Sequence, residues 1–328
     1  MRLGGPASYL VEVHSREELQ EALAWAKEQN QPTIMIGGGS NIVWQDTGFP
    51  GLVVVNKLLG YEDVTDGDTH TVTIGAGEPW DSVVARTVEA GLTGIEALSL
   101  IPGTAGATPV QNVGAYGQDI SQTLVNVEVV DTETGEYVNL TPEDCGFGYR
   151  ASKFQTEYRG KYWIVALTLR LHAGNPTAPF YSGVQQYFDA HGIVEPVTPA
   201  VLRDAVIAIR TAKLPDVATV ANNGSFFGNP IIDGAKRDEL LNQYPSMPNW
   251  PLEDGRAKIP AAWLIEQCGF KDYHDDATGM GTWPVQPLVL VNEHAQSTSD
   301  LIAFRDMITS SVEEKFGIIL KQEPELLP

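Results

Sequence analysis

Ser15 and Glu18 form a capping-box pattern, and Leu19, Ala22, Leu23 and Ala26 follow at helical spacing, which predicts a surface helix after a first strand. A short apolar run from Thr33 to Ile36, a glycine cluster, and a second run from Leu52 to Val55 come next. The opening segment therefore reads strand, helix, strand: a small α/β unit. After the polar turn Thr65-Asp66-Gly67-Asp68, alternation over Thr71 to Ile74 predicts a strand, and Trp80 to Glu89 predicts a helix stopped by Gly91. Val127 to Val130, Tyr137 to Leu140 and Trp163 to Leu171 read as strands of an antiparallel sheet. Thr198-Pro199 starts a helix with Leu202, Val206 and Ile209 on one face. Two more helices, Pro260 to Cys268 and about Ser299 to Phe316, close at Gly269 and Gly317.

From Leu100 to Asp119 small residues, glycine and proline dominate and neither period survives, which marks a functional loop layer. Composition shifts again at Leu214-Pro215-Asp216. A chain of 328 residues is too long for one ordinary core. The pattern predicts a two-part domain followed by a smaller α+β domain.

The 21 Lys+Arg against 42 Asp+Glu give a formal charge of -21, which repels phosphate backbones and anionic lipid, so no nucleic-acid or membrane partner is expected. Charged residues make up only 19% of the chain, so the excess of acid says nothing about habitat. Cys145 and Cys268 stand in no ligand spacing and read as free thiols of a reducing cytoplasm. The histidines are scattered, and His274-Asp275-Asp276 lies in a polar, glycine-rich stretch that reads as a solvated loop; no catalytic metal is expected.

Five stretches carry candidate chemistry. Gly37-Gly38-Gly39-Ser40-Asn41 follows a strand; such glycines allow positive φ and close ligand approach, and their N–H groups can nest a diphosphate, although a plain turn has the same composition. Pro102-Gly103-Thr104 with Gln111-Asn112-Val113-Gly114-Ala115-Tyr116-Gly117 suits a backbone wrapped around a flat polar ring system. Phe147-Gly148-Tyr149-Arg150 sets a guanidinium beside aromatics, suited to a bidentate grip on a carboxylate. Ser225, between Gly224 and Phe226-Phe227, reads as a proton donor in a water-poor pocket or as a turn cap. Arg210 and Lys213 end a helix, where cations complement the dipole or attract an anionic substrate.

Taken in order, these segments, with Arg2-Leu3-Gly4-Gly5, Lys213-Leu214-Pro215-Asp216, Asn229-Pro230 and Ala262-Trp263-Leu264-Ile265-Glu266-Gln267, resemble the UDP-N-acetylenolpyruvoylglucosamine reductase (MurB) family over nearly the whole chain. The resemblance implies an α+β chain with an FAD-binding fold of the vanillyl-alcohol-oxidase/PCMH type, built of two α/β subdomains, plus a smaller α+β substrate-binding domain. Divided accordingly, 1–56 and 57–212 are the FAD-binding subdomains, 213–317 binds substrate, and 318–328 is a C-terminal strand returning to the active site. Non-covalent FAD, NADPH as co-substrate and a UDP-sugar as the small-molecule partner are implied. So is a cytoplasmic step of peptidoglycan synthesis that reduces UDP-N-acetylglucosamine enolpyruvate to UDP-N-acetylmuramate.

By resemblance, Gly37, Gly38, Gly39, Ser40, Asn41, Pro102, Gly103, Thr104, Gln111, Asn112, Gly114, Ala115, Tyr116 and Gly117 hold the flavin. Tyr149, Tyr181, Lys213, Asn229 and Gln286 bind the substrate, the last four through its UDP part or diphosphate. Arg150, Ser225 and Glu323 are the catalytic residues, Ser225 as proton donor. The family's terminal pattern of leucine, glutamate, any residue and catalytic glutamate reads here Leu320-Lys321-Gln322-Glu323, with lysine at the second place. Counting from Phe316-Gly317 selects Glu323, and Pro324 is expected to end strand pairing, leaving Glu325 beyond the ordered strand.

Two other readings stay open at this point. Another flavin oxidase or dehydrogenase of the same fold is one, and an inactive nucleotide-binding homologue is the other. The first calls for a histidine or cysteine to tether the flavin, and the glycine-rich loops contain neither. The second calls for loss of Arg150, Ser225 or the terminal carboxylates, all of which are present. Acid precipitation of the purified protein is therefore expected to release its yellow colour into the supernatant; colour retained in the pellet would establish a covalent link.

Overall fold

A computed structural model describes all 328 residues, which form two compact units. The larger comprises Ala7–Gly39 and Pro50–Ala212, and the smaller Met1–Pro6, Ser40–Phe49 and Lys213–Pro328.

In the larger unit, the strands Ala7–Val13, Phe49–Asn56 and Thr33–Ile36 make a three-stranded sheet in that spatial order. The helix Arg16–Glu28 connects the first to the third and buries Leu19, Ala22, Leu23 and Ala26 against Val13, Leu52 and Val54. Ser15 Oγ accepts the Glu18 N–H at 3.1 Å, as its sequence predicts. The reciprocal bond is displaced by one residue: the Glu18 carboxylate takes the N–H of His14 at 2.6 Å, so the expected box closes on the residue before the cap.

A second sheet is antiparallel in the order Tyr137–Leu140, Leu124–Asp131, Tyr162–Ala173, Thr69–Gly75, Tyr61–Asp66. Its central strand explains the long apolar run seen in the sequence. Trp163 and Val165 pack among the residues of the first layer, whereas Ile164, Leu167 and Leu169 pack with Trp80, Val83 and Val84 of the helix Trp80–Glu89. A strand covered on both faces has no polar face to alternate with. Two further helices, Ser182–His191 and Pro199–Lys213, join through Val184, Phe188, Leu202, Val206 and Ile209. The first of them has no counterpart in the sequence reading.

The smaller unit is built on a four-stranded sheet, Ala221–Ser225, Val289–Asn292, Met280–Thr282 and His274–Asp275. The helices Ala261–Gln267 and Thr298–Phe316 supply Leu264, Ile265, Phe304, Ile308 and Phe316 to its core, beside Phe226 and Phe227. No helix of the chain is long and apolar enough to cross a membrane.

The nineteen-residue helix Thr298–Phe316 starts from a complete capping box made by Ser297 and Asp300. A second anion reaches its first turn from far away in the sequence: Asp46 accepts the N–H of Thr298 at 2.6 Å and the N–H and hydroxyl of Ser299 at 3.1 Å each. The Thr298 N–H foremost, and then Ser299, hold the Asp46 carboxyl below its ordinary value. A carboxyl with a depressed folded value stabilises the fold above its unfolded value of about 3.9, and that contribution fades as pH falls through the folded one. Asp46→Asn is accordingly expected to cost about 0.3–1 kcal/mol at neutral pH, the size of a screened charge at a helix terminus. In urea unfolding followed by circular dichroism, the gap between variant and wild type should close as pH drops below about 4.

Candidate functional site

The first glycine run and the loop after Leu100 meet backbone to backbone within the larger unit. A Cβ on Gly37 would clash with Thr104 Oγ1 at 2.3 Å, whereas one on Gly38 would only touch Gly103 Cα at 3.4 Å, so the two backbones are close neighbours and Gly37 has no room for a side chain. The loop is stitched to the elements around it. Gly103 O accepts from Trp80 N–H at 3.0 Å, Ala105 N–H donates to Glu78 O at 2.8 Å, and Gly106 N–H donates to Ala76 O at 2.9 Å.

Its entrance is fixed by Asp81. Leu100 stands at φ 58, and its N–H donates to Asp81 Oδ1 at 2.5 Å. The same carboxylate receives both guanidinium nitrogens of Arg203, at 2.7 and 2.9 Å, and Arg203 also reaches Ser99 Oγ at 2.8 Å. Burial works against ionisation of Asp81, but Arg203 and the Leu100 N–H prevail and hold its carboxyl below the ordinary value.

The second half of the loop has positive φ at Asn112, Tyr116 and Gly117. Tyr116 meets Tyr181 edge to face at 5.7 Å. Behind Tyr116 lies Arg210, hydrogen-bonded to its phenol. Burial pushes the Tyr116 phenol up and the Arg210 guanidinium down, and Arg210 Nε is buried without a hydrogen-bond partner. A glycine backbone close against a second loop, followed by the half-buried Tyr116 ring, the exposed Tyr181 ring and a buried cation, fits an anionic cofactor with a flat ring system.

Arg150 occupies a tight turn in which Gly148 N–H donates to Ala151 O at 2.9 Å and Ala151 N–H returns to Gly148 O at 3.3 Å. Arg150 is the left-handed residue of that turn, at φ 52, and its Nη2 donates to Gly114 O at 2.6 Å. Tyr149 precedes it with a largely exposed ring.

Ser225 and Glu323 come together in the smaller unit. The strand pairing of Ala221–Ser225 slips between Asn222 and Ser225, and Gly224 at the slip has φ 70, which a side chain would make costly. Asn222 Oδ1 accepts the Gly224 N–H at 2.8 Å, fixing the bulge that aims Ser225. Glu323 N–H donates to the carbonyl of Phe226 at 2.9 Å, so its backbone adjoins the residue after Ser225. Ser40 and Asn41 border the same cluster: Asn223 Nδ2 donates to Ser40 O at 3.0 Å, and Asn41 Nδ2 to Glu323 O at 3.4 Å.

The expected end of the chain needs correction. Pairing does not stop at Pro324. Gln322 bridges Phe227, the backbone bends at Pro324, and Glu325–Leu327 then pairs in parallel with Ile42–Trp44. Glu325 is thus an ordered strand residue, its N–H bonded to Asn41 O at 2.9 Å. The proline separates two pairings because Gln322 and Glu325 face different partner segments.

Of the substrate-binding candidates, Tyr149 and Tyr181 belong to the larger unit and Lys213, Asn229 and Gln286 to the smaller. Asn229 Oδ1 accepts the Ala261 N–H at 2.9 Å, at the start of the helix Ala261–Gln267, which fixes the carboxamide and leaves its Nδ2 and a second lone pair of Oδ1 for a ligand. Sequence reasoning passed over Asp81, Arg203 and Asn223. Asn223-Gly224 is a turn-type dipeptide that signals the bulge, but nothing in the sequence pairs Asp81 with Arg203.

A family model described as an FAD binding domain matches residues 7–141, and the C-terminal domain model of UDP-N-acetylenolpyruvoylglucosamine reductase matches residues 216–327. The UDP-N-acetylenolpyruvoylglucosamine reductase of Ralstonia nicotianae is 39% identical over 330 residues, covering 99% of this chain and 95% of that protein. That of Escherichia coli is 36% identical over 318 residues, covering 97% and 90%. The crystal structure of the Thermus caldophilus enzyme aligns with TM-score 0.66 at 22% identity, over 99% of this chain and 94% of that one, a likeness of fold. The α+β architecture with an FAD-binding fold of the vanillyl-alcohol-oxidase/PCMH type is the one the sequence leads to.

Proposed function

The chain belongs to the UDP-N-acetylenolpyruvoylglucosamine reductase family, and from that premise we propose how its residues divide the reaction. The reaction is the NADPH-dependent reduction of UDP-N-acetylglucosamine enolpyruvate to UDP-N-acetylmuramate in peptidoglycan synthesis. Bound FAD would supply the hydride for the terminal carbon of the enolpyruvyl group, with NADPH as its source. The backbones of 37–41 and 102–117 hold that cofactor without a covalent link.

Hydride arrival pushes negative charge onto the enolpyruvyl carboxylate. Arg150 grips that carboxylate, and Glu323, protonated for the purpose, donates to it. Ser225 supplies the proton to the adjacent carbon. Tyr149, Tyr181, Lys213, Asn229 and Gln286 bind the substrate, the last four through its UDP part or diphosphate. In this division 1–56 and 57–212 serve the flavin, 213–317 the nucleotide, and 318–328 carries Glu323. We place the protein in the cytoplasm, where NADPH and UDP-sugars are available, with small molecules as its partners.

The observation that carries the assignment is the hydrogen bond from Glu323 N–H to Phe226 O, which ties the terminal segment to the strand bearing Ser225. Glu325 is ordered as well, but its bond runs to Asn41.

Stopped-flow absorbance separates the two half-reactions. Ser225→Ala is expected to leave flavin reduction by NADPH nearly intact while slowing reoxidation by the sugar nucleotide about 10²–10³-fold, the usual cost of one transition-state donor. Equal slowing of both halves would mark Ser225 as a turn residue only. Glu323→Gln should impair turnover of the enolpyruvyl substrate far more than Glu325→Gln, and the opposite ranking would transfer the catalytic role to Glu325.

A further inference from the structure

Arg150 holds its guanidinium from a backbone conformation that its own side chain disfavours. A non-glycine residue in the left-handed region costs on the order of 1 kcal/mol or more and persists only when its surroundings over-determine it. Much of that determination converges on Asn112. Its Nδ2 donates to Gly148 O, the carbonyl that also closes the Arg150 turn, at 3.2 Å. Its Oδ1 accepts the Ser121 N–H at 3.2 Å. Asn112 is 7% exposed and is itself left-handed, at φ 46. Ser152 Oγ adds a second tie from the far side of the turn, donating to Val110 O at 2.5 Å.

We propose that the Asn112 side chain is a positioning residue for Arg150, bracketing the arginine turn onto the loop that runs from Val110 to Gly114. The chemistry of the bracket selects asparagine. A carboxamide offers one donor and one acceptor at the same distance from the backbone, and Gly148 O and the Ser121 N–H use one of each. Aspartate keeps the acceptor but sets a second oxygen against Gly148 O. Leucine keeps neither, and most other residues resist the left-handed backbone that asparagine tolerates. The bracket also joins Arg150 to the segment its own Nη2 touches at Gly114 O, so the turn and the guanidinium are referenced to one stretch of chain. The backbone of this loop remains the flavin cradle; the side chain of Asn112 serves the arginine.

The inference rests on the reading of Arg150 above, and Arg150→Met tests that reading alone. If Arg150→Met is reoxidised by the sugar nucleotide at the wild-type rate, Arg150 has no role for Asn112 to support. With that role present, Asn112→Asp is expected to slow reoxidation tenfold or more beyond any effect on reduction by NADPH. In the Arg150→Met background the same substitution should add less than twofold, because the group it misplaces is gone. Independently of turnover, hydrogen exchange across residues 148–152 should rise tenfold or more while the helix Thr298–Phe316 keeps its protection. Full additivity with Arg150→Met, or unchanged exchange at 148–152, overturns the proposal. Should Asn112→Asp yield no folded protein, Asn112→Gly keeps the left-handed backbone, loses both bonds and carries the same comparison; additivity there is equally fatal.

Discussion

The groups assigned to the chemistry hang on backbone that bends the wrong way for ordinary residues, and each bend is held by a short polar side chain from elsewhere in the same unit. Asp81 takes the N–H of left-handed Leu100, Asn112 grips the turn of left-handed Arg150, and Asn222 caps the N–H of Gly224 beside Ser225. A carboxylate or carboxamide suits this work because it satisfies a backbone group that neither helix nor sheet can reach. The loops thus behave as rigid parts although they have no regular secondary structure. Without these clamps the same sequence would have local alternatives, since left-handed backbone is rarely its own minimum.

Electrostatics is arranged against the bulk charge. A chain with formal charge -21 repels anionic ligands at long range, yet Arg150, Arg203 and Arg210 gather around the second glycine-rich loop. Arg203 pairs directly with Asp81, whereas Arg210 feels that carboxylate only at a distance, keeps a buried Nε without a hydrogen-bond partner and hydrogen-bonds the Tyr116 phenol. Low dielectric makes such a cation felt strongly and locally, so an anion is favoured at this loop and disfavoured over most of the acidic surface.

Legibility in the sequence followed burial pattern. Arg16–Glu28 and Trp80–Glu89 have one clear apolar period and Thr33–Ile36 is a short apolar run bounded by turn residues, and all three are legible from those patterns. The helix Ser182–His191 buries only Val184 and Phe188, and Gly234–Gln243 only Leu240, too few positions to show a period. The strand Ala221–Ser225 is Ala-Asn-Asn-Gly-Ser, held by side-chain amides rather than by an apolar face, so propensity argued against it. The catalytic candidates were legible through the family's ordered motifs. What stayed hidden was the support: Asp81 with Arg203, and Asn112 with Gly148, join residues 122 and 36 positions apart. The misjudged chain end has the same origin, because Pro324 was weighed as a local breaker while the pairing of Glu325–Leu327 depends on Ile42–Trp44.

The discontinuity of the smaller unit sets an order of assembly. Its strand Ile42–Trp44 is synthesised long before the strand it pairs with, Glu325–Leu327. Gln45 and Phe49 can meet Gly5 and Pro6 as soon as they are made, but residues 40–44 must wait for partners from the later part of the chain. Ser40 and Asn41 lie in that waiting segment and settle only when Asn223 and the terminal residues arrive. A chain that lacks Glu325–Leu327 would leave Ile42–Trp44 without its pairing strand.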